Sequence, residues 1–302
     1  MTDPAMAGVP PPSARFSDYL ELTKPRLSLL SVMTALVGYF AARPTHDLAR
    51  LGFLALGASL AAGGVAALNQ WMESETDGRM HRTEQRPIPT GRIPGGSAYV
   101  LGWGMCFAAL IMIFTQVGKL SALFTLLTIA SYLGWYTPAK RMSRWSTEIG
   151  AIAGALPPLI GWSAAEGGVS PLGWILFGVL FFWQIPHFMA IAWTYRSDYS
   201  IVNFPMLPVR DESGAKVAGW SFAATLSLVA VSLLPSVLGL DSLWYGAVAA
   251  LVGACFLWRA AAFLRAANRD AGARRLFFFS LAYLPILLGA LVADRLLTGH
   301  HL

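Results

Sequence analysis

The sequence predicts an all-α fold, a polytopic membrane bundle of about nine transmembrane helices. Hydrophobic residues occupy 56% of the 302 positions, whereas charged residues occupy only 13%. Runs rich in Leu, Ala and Gly recur along the chain, and they are long enough to cross a hydrocarbon layer of ~30 Å as helices. These features indicate an integral membrane protein.

Each apolar run is interpreted as one span. The first and fourth runs are short, so flanking residues must help them to cross the bilayer. Before the spans, residues 1–19 are Pro-rich and polar and are predicted to form a flexible cytoplasmic segment, followed by a single transmembrane domain at 20–302. The predicted spans are 27–42, 51–72, 97–116, 120–136, 147–165, 171–194, 218–238, 243–262 and 276–297.

The distribution of positive charge predicts the orientation of the chain, because loops that stay in the cytoplasm collect Lys and Arg. With a cytoplasmic N-terminus, 18 of the 22 Lys and Arg residues lie inside. We therefore expect the N-terminus inside and the C-terminus outside. This asymmetry also accounts for the net charge of +6 without a nucleic-acid partner. The exceptions are Arg43, Arg50, Lys119 and Arg295.

The N-terminal segment predicts the membrane in which the protein lies. No cleavable signal peptide is visible ahead of the first apolar run, so that run is expected to be the targeting signal. The segment carries Asp3, Asp18 and Glu21 and lacks the Arg-rich, acid-poor pattern of an organelle transit peptide. A bacterial inner (plasma) membrane is the expected location.

A dense acidic-then-basic stretch follows the second apolar run. Asn69, Glu73 and Asp77 are spaced four residues apart, so on a helix they line one face with a drift of about 40° per step. Their oxygen atoms are ligands that suit Mg²⁺. Arg82 and Arg86 follow, and guanidinium groups beside a carboxylate-held metal ion form a combination that grips a diphosphate. The motif predicts an activated phosphate ester as substrate.

The same stretch cannot lie in the middle of the bilayer. Residues 73–92 carry eight Asp, Glu or Arg side chains. At roughly 3 kcal/mol for each at the bilayer centre, the cost of burying them in lipid is prohibitive. Gly78 weakens the helix, and Pro87 biases the chain toward an extended exit. The motif is therefore predicted to be a helix end that opens into a loop at the membrane interface.

A second polar stretch, with Asp198 and Tyr199, follows the sixth span on the same predicted side of the membrane. If spans one to four and five to eight form a structural repeat, the two stretches meet across a pseudo-symmetry axis. Asp198 then faces Glu73 and Asp77, and these three carboxylates are the predicted metal ligands.

The first stretch, Asn69-x-x-x-Glu73-x-x-x-Asp77 followed by Met80-His-Arg82-Thr-x-x-Arg86-Pro87, resembles the first signature of the UbiA superfamily of intramembrane prenyltransferases. Other segments are similar to the branch of that superfamily that farnesylates heme. They are Leu22-Thr-Lys24-Pro25-Arg26, Trp135-Tyr136-Thr137-Pro138-Ala-Lys140-Arg141, Trp183-Gln184-Ile-Pro186-His187-Phe188, and Asp198-Tyr199 leading to Pro205-Met206-Leu207-Pro208.

The resemblance implies a nine-helix bundle whose active site opens near the cytoplasmic face. There Mg²⁺ holds the diphosphate of farnesyl diphosphate, and the farnesyl group is joined to a vinyl group of heme b. Two positions depart from the wider superfamily. Glu73 stands where Asp is usual, and Val202 stands where the second motif usually has another Asp, so Asp198 is the only acid of that motif.

Nine of the predicted site residues have a role in ionising an allylic diphosphate, because preorganised cations stabilise charge that builds on the leaving oxygens. The metal is held by Glu73, Asp77 and Asp198; the diphosphate is neutralised by Arg82, Arg86, Lys140 and Arg141 and oriented by Asn69 and Tyr199.

Several interpretations remain open from the sequence. Lys140 and Arg141 are equally well explained as membrane anchors of the fourth span. His187 is either a core histidine with a local hydrogen-bond partner or a contact for heme iron. The alternative functions are prenylation of an aromatic quinone precursor and transport of an anionic phosphate ester. Predicted partners are membrane lipid and later heme-modifying or terminal oxidase assembly proteins.

Overall fold

The computed structural model describes residues 14–42 and 47–297. Within these ranges all regular structure is helical. The α-helices, α1 to α14 in chain order, are Phe16–Thr23, Pro25–Ala41, Leu48–Asp77, Gly95–Met112, Lys119–Ala130, Thr137–Met142, Ser146–Ala155, Pro157–Glu166, Pro171–Thr194, Arg196–Ile201, Leu207–Arg210, Ala215–Val237, Leu243–Phe263 and Arg269–Leu297. Two π-helical segments, Ile113–Val117 and Ser131–Tyr136, and a 3-10 turn, Ala266–Asn268, complete the set.

The predicted all-helical membrane fold is confirmed, but the count of nine spans is not. In the described part of the chain, seven helical segments are long and apolar enough to cross a membrane. The helix α2 has 17 residues, which is about 26 Å at 1.5 Å per residue. The predicted fifth span is divided into α7 and α8, with ten residues each. These two regions are the reason that the seven long segments fall short of nine.

Proline explains the division between α7 and α8. Pro157 and Pro158 open α8, where a missing backbone N–H costs nothing because the first turn has no intrahelical acceptor for it. If α7 continued without a break through these two prolines, they would interrupt its backbone hydrogen bonds. A run of apolar residues therefore contains a helix boundary that hydropathy alone does not reveal.

The helices α2 and α8 approach each other through glycine. A Cβ atom on Gly161 would lie 1.7 Å from the carbonyl oxygen of Ala35, and one on Gly38 would lie 2.0 Å from that of Pro158. The two backbones are therefore in direct contact. Small residues at such crossings let membrane helices approach closely and gain packing contacts.

The largest buried cluster lies in the C-terminal half, between α9, α12, α13 and α14. Its bulky members include Trp183, Tyr245, Phe256 and Tyr283. Polar side chains inside it are hydrogen-bonded, as when Ser232 Oγ lies 2.9 Å from the hydroxyl of Tyr283. This half forms a packed scaffold, and α9 links it to α7 and, through its C-terminal end, to α10 and α11.

The flexible cytoplasmic segment predicted at residues 1–19 stays a prediction. Residues 1–13 lie outside the described residues, but α1 already begins at Phe16. The helix buries Asp18 and Leu22, and the chain then turns sharply into α2 at Lys24, whose φ is +47°. The domain boundary predicted at residue 20 therefore falls inside a helix that packs on the rest of the molecule.

Candidate active site

The C-terminal end of α3 supplies the first group of site residues. Asn69, Glu73 and Asp77 are all buried, with exposed fractions of 2%, 5% and 1%. The helix ends at Asp77 and is followed by Gly78, after which the chain runs as turns to Pro94. The predicted helix end that opens into a loop is therefore present, and the three polar side chains share one inward-facing side.

Each of the two α3 carboxylates is paired with a cation. Lys140 Nζ donates to both carboxylate oxygens of Glu73, at 2.8 and 3.0 Å. Arg86 Nη1 lies 2.5 Å from Asp77 Oδ2. Because all four side chains are largely buried, removing one partner leaves the other as an unpaired charge in a poorly solvated place.

The second π-helical segment leads directly into the helix that carries Lys140. Tyr136 ends this segment, and its ring centroid lies 4.5 Å from Lys140 Nζ. Thr137, next in the chain, accepts a hydrogen bond from Asn69 Nδ2 at 3.3 Å. A π turn shifts the register of a helix and is frequent at functional sites. The π-helical segment thus directly precedes Thr137 and Lys140, the two residues that contact Asn69 and Glu73 on α3.

The arrangement fits a divalent cation bound together with a diphosphate. Asp77 Oδ1 is buried and has no hydrogen-bond partner in the described part of the chain. No three His, Cys, Asp or Glu residues within 14–42 and 47–297 form a ready-made metal cluster. Mg²⁺ at phosphate sites commonly uses one or two carboxylates and takes other ligands from phosphate oxygens and water. Such a site needs no complete protein cage.

Lys24 is a site residue that was not singled out from the sequence. Its Nζ lies 3.5 Å from Asn69 Oδ1. Desolvation and the positive charges of Arg86 and Lys140 lower the pKa of Lys24 to about 7. The available signal was its place in the Lys24-Pro25 motif, at the N-terminal end of the first apolar run.

The second polar stretch meets the first at α10. Asp198 Oδ2 accepts a hydrogen bond from the backbone N–H of Arg82 at 3.2 Å, and Arg82 Nη2 donates to the hydroxyl of Tyr199 at 3.3 Å. The Arg82 guanidinium also lies 5.5 Å from the ring centroid of Tyr195. The two stretches are therefore in contact. Asp198 is engaged with the loop, however, and its role as a third metal ligand stays a prediction.

Two predicted substrate residues have other partners in this structure. Arg141 is exposed, and its Nη2 donates to the backbone carbonyl of Met72 at 2.9 Å. His187 is 7% exposed, and its Nδ1 lies 2.7 Å from Ser280 Oγ. The imidazole stacks on Trp183 at 4.6 Å. The Nδ1 atom thus has a local hydrogen-bond partner, as expected for a histidine of the core. Contact between His187 and heme stays a prediction.

Two surface grooves lie away from this cluster. These apolar grooves of about 440 Å³ each lie around the first π-helical segment, and Ile111 and Thr115 border both. None of the predicted site residues lines either groove. The buried charged cluster at the end of α3 is therefore the candidate active site.

Comparison with known proteins identifies the class. Residues 31–282 match the model of the UbiA prenyltransferase family, and the chain belongs to that family. A protoheme IX farnesyltransferase of Opitutus terrae is 65% identical to this chain over 291 residues, which cover 96% of this chain and 99% of the relative. The resemblance to the heme-farnesylating branch is thus confirmed.

Solved structures of the family share the fold. A digeranylgeranylglyceryl phosphate synthase has a TM-score of 0.78 and 16% identity, covering 92% of this chain and 98% of its own. A UbiA homolog from Archaeoglobus fulgidus bound to DMAPP and Mg²⁺ has a TM-score of 0.63 and 14% identity, covering 89% and 100%.

Proposed function

We propose that the protein transfers the farnesyl group of farnesyl diphosphate to a vinyl group of heme b, giving heme O in an Mg²⁺-dependent reaction. The observation that carries the proposal is the buried pairing of Glu73 with Lys140 and of Asp77 with Arg86 at the end of α3. The choice of heme as acceptor is supported by the 65% identity to a protoheme IX farnesyltransferase. The A. fulgidus homolog bound to DMAPP and Mg²⁺ supports a prenyl diphosphate as the class of donor and Mg²⁺ as the metal.

The charges of the cluster suit a diphosphate. Lys24, Arg86 and Lys140 surround the end of α3, and two of these cations already neutralise the two carboxylates. A diphosphate offers these cations new oxygen acceptors, so Glu73 and Asp77 become available as metal ligands. Bound Mg²⁺ supplies charge stabilisation at the leaving diphosphate. The unpartnered oxygen of Asp77 is the first protein ligand that we assign to it.

The reaction then needs cations in fixed positions. The bond between the allylic carbon and the diphosphate oxygen breaks, and its electron pair stays on the diphosphate. That developing charge is stabilised by Lys24, Arg86 and Lys140. The hydrogen bond from Arg82 to Tyr199 joins the loop to α10. The vinyl π electrons of heme attack the farnesyl carbon, and water adds to the resulting cation and releases a proton.

We further propose that this site opens to the cytoplasm of a bacterium with the protein in its inner membrane. The cation distribution, with 18 of 22 Lys and Arg residues on one side, supports an inside N-terminus and an outside C-terminus. His187 as a heme contact, Arg141 as a diphosphate ligand and contacts with oxidase-assembly proteins also stay proposals.

The test is a reaction with defined components. The full chain in lipid nanodiscs is incubated with farnesyl diphosphate, Mg²⁺ and heme b, and hemes are analysed by mass spectrometry. We expect a heme whose mass has increased by a farnesyl group and a hydroxyl group. If hydroxybenzoate or naphthoate is prenylated and heme is unchanged, the acceptor substrate is a quinone precursor and not heme. Uptake of the intact diphosphate into vesicles without any prenylation would instead support a transporter.

A further inference from the structure

The loop that carries Arg86 is held at its far end by Arg92, which lies outside the predicted site. Three nitrogen atoms of the Arg92 guanidinium make four contacts. Nη1 lies 2.5 Å from Asp18 Oδ1 and 2.8 Å from Glu21 Oε2, both on α1. Nη2 donates to the carbonyl of Gln85 at 2.5 Å. One side chain thus joins α1 to the residue that precedes Arg86.

A second path runs from Arg92 to the other side of Arg86. Arg92 Nε donates to Thr90 Oγ1 at 3.0 Å, and Thr90 Oγ1 donates to the carbonyl of Arg86 at 2.8 Å. The peptide groups on both sides of Arg86 are therefore fixed by the same guanidinium. The side chain of Arg86 then reaches Asp77 at 2.5 Å.

The helix α1 is a firm support for this contact. Leu22 is completely buried in a small cluster with Ile93, and its carbonyl accepts a hydrogen bond from Gln70 on α3 at 2.8 Å. The Arg15 backbone N–H, together with Arg92, holds the pKa of Asp18 below its usual range, so this carboxylate stays charged near neutral pH. The same cluster packs the end of the loop onto α3.

We propose that Arg92 is a positioning residue for the diphosphate site, which fixes Arg86 by tying its loop to α1. This inference rests on the proposed function, because it assigns Arg86 to the diphosphate. A guanidinium that is already fixed loses less conformational entropy when it binds an anion than a mobile one does. Without Arg92, the loop would have to become ordered on binding, and this ordering would reduce the affinity. Arg92 itself need not touch the substrate.

The experiment measures binding of farnesyl diphosphate and of heme b separately, with the full chain in nanodiscs and Mg²⁺ present. We expect Arg92→Gln to weaken farnesyl diphosphate binding about tenfold, the scale of one or two hydrogen bonds to a charged group. Heme affinity should not change. The matched control is Arg79→Gln, which removes an equal charge from an exposed position of the same loop.

A double-mutant cycle separates positioning from general destabilisation. If Arg92 acts through Arg86, the variant Arg86→Gln with Arg92→Gln binds farnesyl diphosphate as weakly as Arg86→Gln alone. Additive losses in the cycle would overturn the inference, and so would wild-type affinity in Arg92→Gln. Absence of binding by the wild-type chain would instead count against the proposed function.

A milder variant keeps the test decisive if Arg92→Gln does not fold. Glu21 is 47% exposed at its side chain and contributes one of the four contacts. We expect Glu21→Gln to weaken farnesyl diphosphate binding by about two- to threefold, in line with a partly exposed ion pair. Unchanged affinity in a folded Glu21→Gln protein would contradict the part of the inference that assigns support to α1.

Discussion

At the scale of the residue, the candidate site is defined by charges on α3 whose partners lie outside that helix. Glu73 and Lys140 are 67 positions apart, and Asp77 and Arg86 are nine apart. The sequence can identify the two motifs that contain such a pair, but it cannot show which residue of one motif contacts which residue of the other. The first two predictions concern these charges and the unpredicted Lys24 beside them.

The carboxylates should be needed for turnover. Glu73→Gln and Asp77→Asn keep the side-chain size but remove a negative charge, so a metal ligand is lost and Lys140 or Arg86 is left unpaired. We expect turnover to fall at least about 100-fold, as for loss of a group that stabilises a transition-state charge. The measurement is farnesyl transfer during a magnesium titration, with size-exclusion profiles as the check on folding.

Glu75→Gln is the matched control for this pair of variants, because Glu75 lies on the same helix and is exposed. It should retain wild-type turnover. Full activity of either Glu73→Gln or Asp77→Asn under limiting magnesium would remove that residue from the metal site.

Binding of the diphosphate should take up a proton at Lys24. Its pKa of about 7 in the free protein means that much of it is neutral at pH 8. A bound diphosphate favours the charged form and raises this pKa, so the contribution of Lys24 to affinity is full below pH 7 and is lost as the pH rises above it. Calorimetry at pH 8 in buffers of different ionisation enthalpy should therefore show proton uptake.

The matched variant for this measurement is Lys24→Arg, because its guanidinium stays charged across the range. Proton uptake at pH 8 should then fall. Equal proton uptake in the wild type and in Lys24→Arg would exclude Lys24 as the source.

At the scale of the element, the helix α3 behaves as its sequence predicts, whereas the fifth span does not. The four-residue spacing of Asn69, Glu73 and Asp77 is a local property that any helix converts into one face. The contact of α2 with α8 cannot be predicted from a local segment, because it depends on which glycines of two separate helices lie against each other. The third prediction therefore concerns this crossing.

Gly161→Ala should destabilise the protein. The added methyl group would collide with backbone atoms of Ala35 that cannot move aside as a flexible side chain can. Overpacking of this kind costs about 1–3 kcal/mol. We expect a lower midpoint of thermal unfolding in detergent. Gly104→Ala on α4 is the control, since nothing lies within 4 Å of its added Cβ, and a midpoint unchanged by Gly161→Ala would contradict the close crossing.

At the scale of the whole molecule, the two polar stretches meet in one place. Arg82 lies 116 positions from Asp198 in sequence, yet its backbone N–H is 3.2 Å from that carboxylate. This contact requires both stretches to lie on the same side of the membrane. The fourth prediction is therefore a matter of topology.

Reporter fusions test that topology directly. A cytoplasm-active reporter fused near residue 205 should be active, and so should one fused after residue 72, because both stretches are predicted inside. A reporter fused near residue 240 should report the outside. Activity of an exported reporter at residue 205 would overturn the inside assignment of the second stretch.

The sequence by itself determined the membrane class, the helical fold and the inward face of α3, because apolar run length and residue spacing are properties of a local segment. It also identified the residues of both polar stretches. The split of the fifth span is also local, because it follows from Pro157 and Pro158, although hydropathy alone does not reveal it. Tertiary structure decided which cation pairs with which carboxylate, that Lys24 joins the cluster and that Arg92 ties α1 to the loop. These features depend on packing between separate segments of the chain, which local periodicity does not encode.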